Sequence, residues 1–421
     1  MLQYIIPMNA TSSRISSARG LLAVLALAYT LNFLDRTLIY ILFPAIKKEM
    51  SLSDLQLALL GTTSFVLFYT SLGLPFGRMA DRVSRRNMIA AGLVTWSVAS
   101  AATGLATGFW SLLACRVVVG IGEASLGPAA MSLLADAFSA SRRATAQSVY
   151  SAGVPVGAAA AFWLGGYIGE VAGWRTAFLA LGAPGIALAG VVMLLVEPAR
   201  VAAGPAAAGR PFLADLRGVL RAPGLARVLV GFALVAVAAN ALSIWVPTLL
   251  VRERGLAGAD VGRLAGIVTI TAGLLGTLSG GAIADAWQRR SARGRRLFVG
   301  TLGVVAAVAW CGLLVGPPGA PLVAAYAVLA FTGLAWLGPA AAEVQSRVPA
   351  EQRGLGVAVY FLAVNLVGYG AAPLVVGALS DRVGLGQAMA LLPVCCVAAG
   401  AVLLAPARSV RAAAGASASP G

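Results

Sequence analysis

The sequence predicts an all-α membrane protein of twelve transmembrane helices, arranged as two pseudo-symmetric six-helix bundles. Three observations predict it. The chain of 421 residues is 59% hydrophobic and only 11% charged, with a mean hydropathy of +0.88, whereas a soluble domain carries about 25% charged residues. A dozen apolar runs are each long enough to cross a bilayer, which takes about 20 helical residues. The chain also repeats itself, first half upon second.

In chain order, residues 1–19 form a cytoplasmic tail and 20–196 the first bundle, with runs at 20–44, 55–76, 87–107, 109–135, 144–168 and 176–196. Residues 197–224, EPARVAAGPAAAGRPFLADLRGVLRAPG, are the longest connection and the only one rich in Pro, Gly, Ala and Arg together. Within this linker Phe212, Leu213, Leu216, Val219 and Leu220 share one face of a short helix suited to the membrane surface. A mobile linker is the equal alternative. The second bundle, 225–406, holds runs at 225–251, 259–283, 297–315, 320–346, 354–379 and 386–406, and 407–421 is a second cytoplasmic tail.

The net charge of +16 and pI near 10.8 raise the question of a nucleic-acid partner. The distribution answers it. With the N-terminus in the cytoplasm, 22 of the 31 Lys and Arg fall on the cytoplasmic side and 7 on the other, with Arg36 and Arg116 inside spans. That bias sets orientation, so no nucleic-acid partner is expected. The chain is placed as a multi-pass plasma-membrane protein (inner membrane in a bacterium) with both termini cytoplasmic, working as a monomer in the lipid bilayer. The first run is too long for a signal peptide and lacks a small-residue cleavage site, so it reads as a retained helix. Cys115, Cys311, Cys395 and Cys396 lie in spans without metal-ligand spacing, and there is no histidine. No metal and no cofactor are expected, and a membrane enzyme loses its commonest general base.

The repeat rests on local matches. GRMADRVSRR, Gly77 to Arg86, returns as GAIADAWQRR, Gly281 to Arg290, and LGPAA at Leu126 to Ala130 returns at Leu337 to Ala341. Six helices return the chain to its starting side, so the copies run parallel, with a substrate site expected between the halves.

Four charges interrupt the apolar runs. Asp35 and Arg36 stand in LNFLDRTLIY of span 1, and Arg116 and Glu123 lie seven residues apart on one face of span 4, in CRVVVGIGEASLGPAA. Each costs about 2.5 to 3.5 kcal/mol to insert, so such residues face a cavity and a partner, although a purely structural ion pair is the competing explanation. Counting 1.5 Å per residue puts Asp35 about 22 Å along span 1 and Arg116 at a similar depth in span 4. Glu123 falls near the midplane or below it. The second half does not copy them: Asp35 and Arg36 map onto Ala238 to Asn240, and Arg116 and Glu123 onto Ala327 and Leu334. The glycines of G-I-G, with no strand before them, serve helix packing. Asn240, Trp245, Tyr360, Asn365 and Tyr369 are the polar candidates from the other wall, with packing the more frequent role of such aromatics.

The pattern at Gly77, Asp81, Arg82, Arg85 and Arg86, with its partial copy at Gly281, Asp285, Arg289 and Arg290, resembles the loop motif of the major facilitator superfamily. Ser84 stands where the family usually has glycine. NFLDR, GEAS and GWRTAF, together with LFPAIKKEMSLSDLQLALLGTTSFVLFYTSLGLPFGRMADR over 42–82, are similar to the spinster-type branch. The resemblance implies the major facilitator fold and proton-linked movement of lysolipids or sphingoid phosphates, with Asp35, Arg36 and Glu123 as functional residues.

Together these readings give a secondary transporter working by alternating access. Asp35 and Glu123 take protons, while Arg36 and Arg116 bind an anionic group. The motif residues and Glu343, beside Arg347, form a cytoplasmic gate. An anionic amphiphile is the first substrate class and a small organic or sugar acid the alternative, with a receptor that does not transport behind both.

Overall fold

The computed structural model describes residues 15, 17–63, 66, 71–72, 75–77, 79–80, 82–199, 212–349 and 352–406. Ten helices are long and apolar enough to cross a membrane: Ala18–Met50, Phe109–Ala137, Thr145–Val171, Gly173–Met193, Leu225–Arg252, Gly258–Arg290, Gly294–Val315, Ala320–Gln345, Leu355–Val383 and Leu385–Leu404. Span 2, which starts at Asp54 and is described in pieces to Ala80, and span 3, Arg85–Thr103, complete the twelve. Sequence and structure agree on the fold class.

Polar caps set where spans begin. Ser17 caps span 1, its hydroxyl accepting from the Gly20 N–H at 3.0 Å. Ser53 and Gln56 form a reciprocal capping box at the start of span 2, satisfying donors that a helix N-terminus otherwise leaves open. Span 1 runs 33 residues, past Pro44, to Met50, beyond the predicted end at 44, and stops where Ser51 turns left-handed. Ahead of it Ile15 bridges to Leu195, pinning the N-terminal segment to the end of span 6.

Span 4 is two helices, Phe109–Glu123 and Leu126–Ala137, and span 10 likewise is Ala320–Ala335 and Leu337–Gln345. The repeated LGPAA explains both breaks, because Pro128 and Pro339 lack an N–H and crowd the carbonyl four residues back. The repeat is thus visible as geometry. Single π-helical turns at Leu59–Thr63, Thr269–Gly273 and Asn365–Ala371 interrupt spans 2, 8 and 11. The linker helix forms at Phe212–Leu220 and docks by the fully buried Val219, while Leu220 is half exposed.

The chain makes two compact units. Unit 1 is Met1–Arg210, Asn240–Leu274 and Tyr369–Met389, and unit 2 is Pro211–Ala239, Leu275–Gly368 and Ala390–Gly421. The units describe packing, whereas the sequence halves describe the repeat. Unit 1 has a core around Leu25, Leu93, Trp96, Ala129 and Leu134, and unit 2 one around Phe232, Val299, Trp336, Ala340 and Tyr360. Glycine allows the closest approaches in unit 1. A Cβ on Gly122 would meet the Trp96 backbone nitrogen at 2.8 Å, which is the packing role expected of G-I-G, and one on Gly262 of span 8 would meet the Phe162 carbonyl of span 5 at 2.3 Å.

Within unit 1 the ends of spans 1, 2, 7 and 11 on the face opposite the linker are bound together by charge. The fully buried Asp54 carboxylate accepts from Lys47, from Arg252 Nη1 at 2.8 and 3.0 Å, and from the Ser380 hydroxyl. Asp381 in turn accepts from the Asp54 and Leu55 N–H groups at 2.7 and 3.0 Å.

Candidate functional site

The four intramembrane charges all lie in unit 1; Asp35, Arg116 and Glu123 are buried and Arg36 is part-buried. Arg36 donates to Glu123 Oε2 from Nη2 at 3.0 Å and from Nε at 3.3 Å, and its Nη2 also reaches Asn32 Oδ1 at 3.2 Å. The guanidinium carbon lies 4.6 Å from the centre of the Phe33 ring. Asn32 and Arg36 are one turn apart on span 1, so a single helix face presents both. Glu123 is the last residue before the break in span 4.

Asp35, one residue before Arg36, faces span 3 and accepts from the Ser100 hydroxyl at 2.9 Å. Arg116 is within electrostatic reach of both Asp35 and Glu123, as the depth count anticipated. Its side chain is 1% exposed, and its Nε and Nη1 make no hydrogen bond among the described residues. The same holds for Asn32 Nδ2 and Glu123 Oε1. Tyr40, a turn beyond Arg36, donates to the Gly61 carbonyl in the π turn of span 2 at 3.1 Å. Among the described residues one arginine is therefore matched by a carboxylate at contact and the other only across space.

From the second half, Tyr369 comes within electrostatic reach of Arg36. Trp245 packs 6.0 Å from Phe43 in unit 1, and Asn240 is buried there. Tyr360 lies in the aromatic core of unit 2, against Phe232 at 6.0 Å and Trp336 at 6.3 Å, and Asn365 opens the π turn of span 11.

The motif loop has a separate architecture. Asp81 lies outside the described residues. Arg85 is 1% exposed and donates to Ser132 at 2.9 Å, to Asp136, and to the Pro198 carbonyl at 3.1 Å. Glu197 accepts from the Ser84 hydroxyl and from the Arg86 N–H at 2.7 Å. Burial raises the Glu197 carboxyl, yet Ser84, Arg86 and Arg85 together hold it below its ordinary range. Ser84 also caps span 3, accepting from the Asn87 N–H. Its hydroxyl thus does two things that glycine there does not. Among the described residues a Cβ on Gly77 would meet nothing within 4 Å, so close helix approach does not account for that glycine in this conformation. In the second copy Asp285 pairs with Arg295 at 2.7 Å, while Arg289 and Arg290 are exposed. Glu343 accepts from Arg347 Nε at 3.0 Å, whose Nη1 holds the Pro223 carbonyl at 3.3 Å.

Sequence reasoning found the charges and missed their neutral partners, Asn32 and Ser100. Asn32 offered one signal, a polar residue four before Arg36 in an apolar run. Ser100 offered none.

Residues 25–373 match the Major Facilitator Superfamily. The chain belongs to that superfamily. It is 33% identical over 377 residues to an "MFS-type efflux pump" of Mycolicibacterium smegmatis, covering 88% of this chain and 87% of that protein. It is 28% identical over 407 residues to "Protein spinster homolog 1" of Xenopus laevis, covering 90% of this chain and 76% of that one. A crystal structure of a bacterial homolog of the human lysosomal transporter Spinster, inward-facing and unoccupied, superposes with a TM-score of 0.81 at 26% identity, covering 94% of this chain and 97% of that one. The occupied inward-facing structure gives a TM-score of 0.79 at 26% identity, covering 91% and 95%. This superfamily member is a spinster-type, multi-pass membrane transporter.

Proposed function

We propose that this transporter moves an anionic, lysolipid-like amphiphile by alternating access of its two six-helix halves and couples the movement to protons. The observation that carries the reading is the inequality of the two arginines. Arg36 is neutralised at contact by Glu123, while Arg116 is buried, with Nε and Nη1 unpaired among the described residues and with Asp35 and Glu123 within electrostatic reach. With both carboxylates ionised the four charges sum to zero. A proton on Asp35 leaves the site at +1, and a buried uncompensated charge is costly by about 3 to 5 kcal/mol. An anion arriving at Arg116 relieves that cost. Proton and anion then stabilise each other's binding, with Glu123 as the second proton acceptor when its pair with Arg36 opens.

The amphiphile is supported by the likeness to spinster homologues. The concentration of Lys and Arg on the linker face supports a cytoplasmic linker and cytoplasmic termini. In liposomes with an imposed pH gradient, screened with lysolipids, sphingoid phosphates and small organic acids, wild-type protein accumulates an amphiphilic anion against its gradient, and Asp35→Asn and Glu123→Gln each lose that drive. Retention of pH-driven uphill transport by both variants removes the proton role. Accumulation of small acids alone selects the other substrate class.

A further inference from the structure

We infer that Gly166 with Glu170 and Gly377 with Asp381 are two copies of one latch, which closes the face opposite the linker by joining the first sequence half to the second. The inference rests on the alternating-access reading above and goes further, because it names the residues that keep one face shut. Both copies lie in unit 1 and have the same parts. At the end of span 5, a Cβ on Gly166 would meet the Gly258 carbonyl of span 8 at 2.9 Å, and one turn on Glu170 Oε2 accepts from the Ala259 N–H at 2.6 Å. At the end of span 11, a Cβ on Gly377 would meet the Asp54 carbonyl of span 2 at 2.7 Å, and one turn on Asp381 accepts from the Asp54 and Leu55 N–H groups at 2.7 and 3.0 Å.

The repeat relates these contacts residue for residue. Gly166 and Glu170 stand 211 positions before Gly377 and Asp381, the separation of the two LGPAA strings. Gly258 and Ala259 stand 204 positions after Asp54 and Leu55, the separation of the two motif loops. In each copy the glycine lets the start of the facing helix lie against the span. The carboxylate then takes N–H groups that the helix cannot satisfy itself, at the positive end of its dipole.

The copies differ in what supports them. Span 8 starts from Ala257, which has no polar side chain to cap it, whereas span 2 has Ser53. Glu170 therefore supplies a cap that the sequence of span 8 lacks. Asp54 in the second latch corresponds to Gly258 in the first, so Lys47, Arg252 and Ser380 reinforce only the contact between spans 2 and 11. The molecule also contains its own control. Glu253, at the end of span 7, accepts from the Gly386 N–H at the start of span 12 at 2.7 Å, the same bond made inside the second half. Parting the halves breaks the Glu170 and Asp381 bonds and leaves the Glu253 bond whole.

The test is the rate at which a polar maleimide modifies a reporter cysteine, Leu57→Cys in span 2 or Val261→Cys in span 8, in full-length protein in nanodiscs carrying Cys115→Ala, Cys311→Ala, Cys395→Ala and Cys396→Ala. Leu57 and Val261 are fully buried and correspond by the repeat, so the rate reads the fraction of molecules open at that face. Glu170, Asp381 and Glu253 are exposed, so their replacement leaves the packed core untouched. Glu170→Ala and Asp381→Ala each speed modification at both cysteines about 2- to 5-fold, and together about 4- to 25-fold, the worth of one and of two carboxylates at exposed helix N-termini. Glu253→Ala changes neither rate. The decisive reading is at the far cysteine: Glu170→Ala speeds the reporter in span 2, and Asp381→Ala the one in span 8, because both latches part together. Acceleration confined to the nearer cysteine means local fraying and overturns the inference, as does an effect no larger than that of Glu253→Ala. Both outcomes leave alternating access standing. If neither cysteine reacts in any of these proteins, the face does not open, and the alternating-access reading falls with this inference.

Discussion

Arg85 shows how much one side chain of the motif loop holds. Its guanidinium joins the start of span 3 to Ser132 and Asp136 of span 4, and to Pro198 and Glu197 beyond span 6. Removing it takes the guanidinium from the part-buried Asp136 and Glu197 carboxylates and leaves the Arg85 site empty, so Arg85→Ala loses about 1 to 3 kcal/mol, and Arg85→Lys recovers little because an ammonium lacks the planar fork. Thermal unfolding in detergent measures both. The linked Glu197 carboxyl is held below its ordinary range, so its contribution is full above the ordinary carboxylate pKa and is lost as pH falls through the lowered one. At this scale the sequence was readable where residues were expensive. Asp35, Arg36, Arg116 and Glu123 stand out because charge in an apolar span is costly. Their pairing was not readable: depth counting matched Arg116 with Asp35, whereas the contact pair is Arg36 with Glu123, which depends on how spans 1 and 4 are rotated. Asn and Ser cost too little in a helix to announce themselves.

At the scale of elements, the spans were legible from apolar length, and the shared break in spans 4 and 10 has its cause in the repeated LGPAA. The π turns in spans 2, 8 and 11 carry no comparable signature, since one extra residue in a turn is settled by neighbouring helices. The cluster at Asp54 was also hidden, because it joins residues from spans 1, 2, 7 and 11 that are over 300 positions apart at the extreme. Opening the face opposite the linker has to break that cluster. Asp54→Asn therefore shifts the population toward separation there, read as longer distances between spin labels at Leu55 and Val383, both partly exposed. An unchanged distance distribution shows that the cluster does not hold this face shut.

At the scale of the whole molecule, the six-plus-six repeat and the two compact units divide the chain differently. Unit 1 gathers the far ends of spans 7, 8, 11 and 12 with the whole of the first half down to Arg210. Packing rather than ancestry sets that division, so no repeat analysis foretells it. All four intramembrane charges fall in unit 1, and transport on this account is the exchange of Arg116's counter-charge between Asp35 and the anion. The most direct test is proton uptake on ligand binding, measured with a pH indicator in weakly buffered solution on purified protein given oleoyl lysophosphatidate. The account predicts that wild-type protein takes up close to one proton per anion bound, and that Asp35→Asn binds the anion with no proton uptake. Anion binding by wild-type protein without proton uptake, or uptake undiminished in Asp35→Asn, contradicts it.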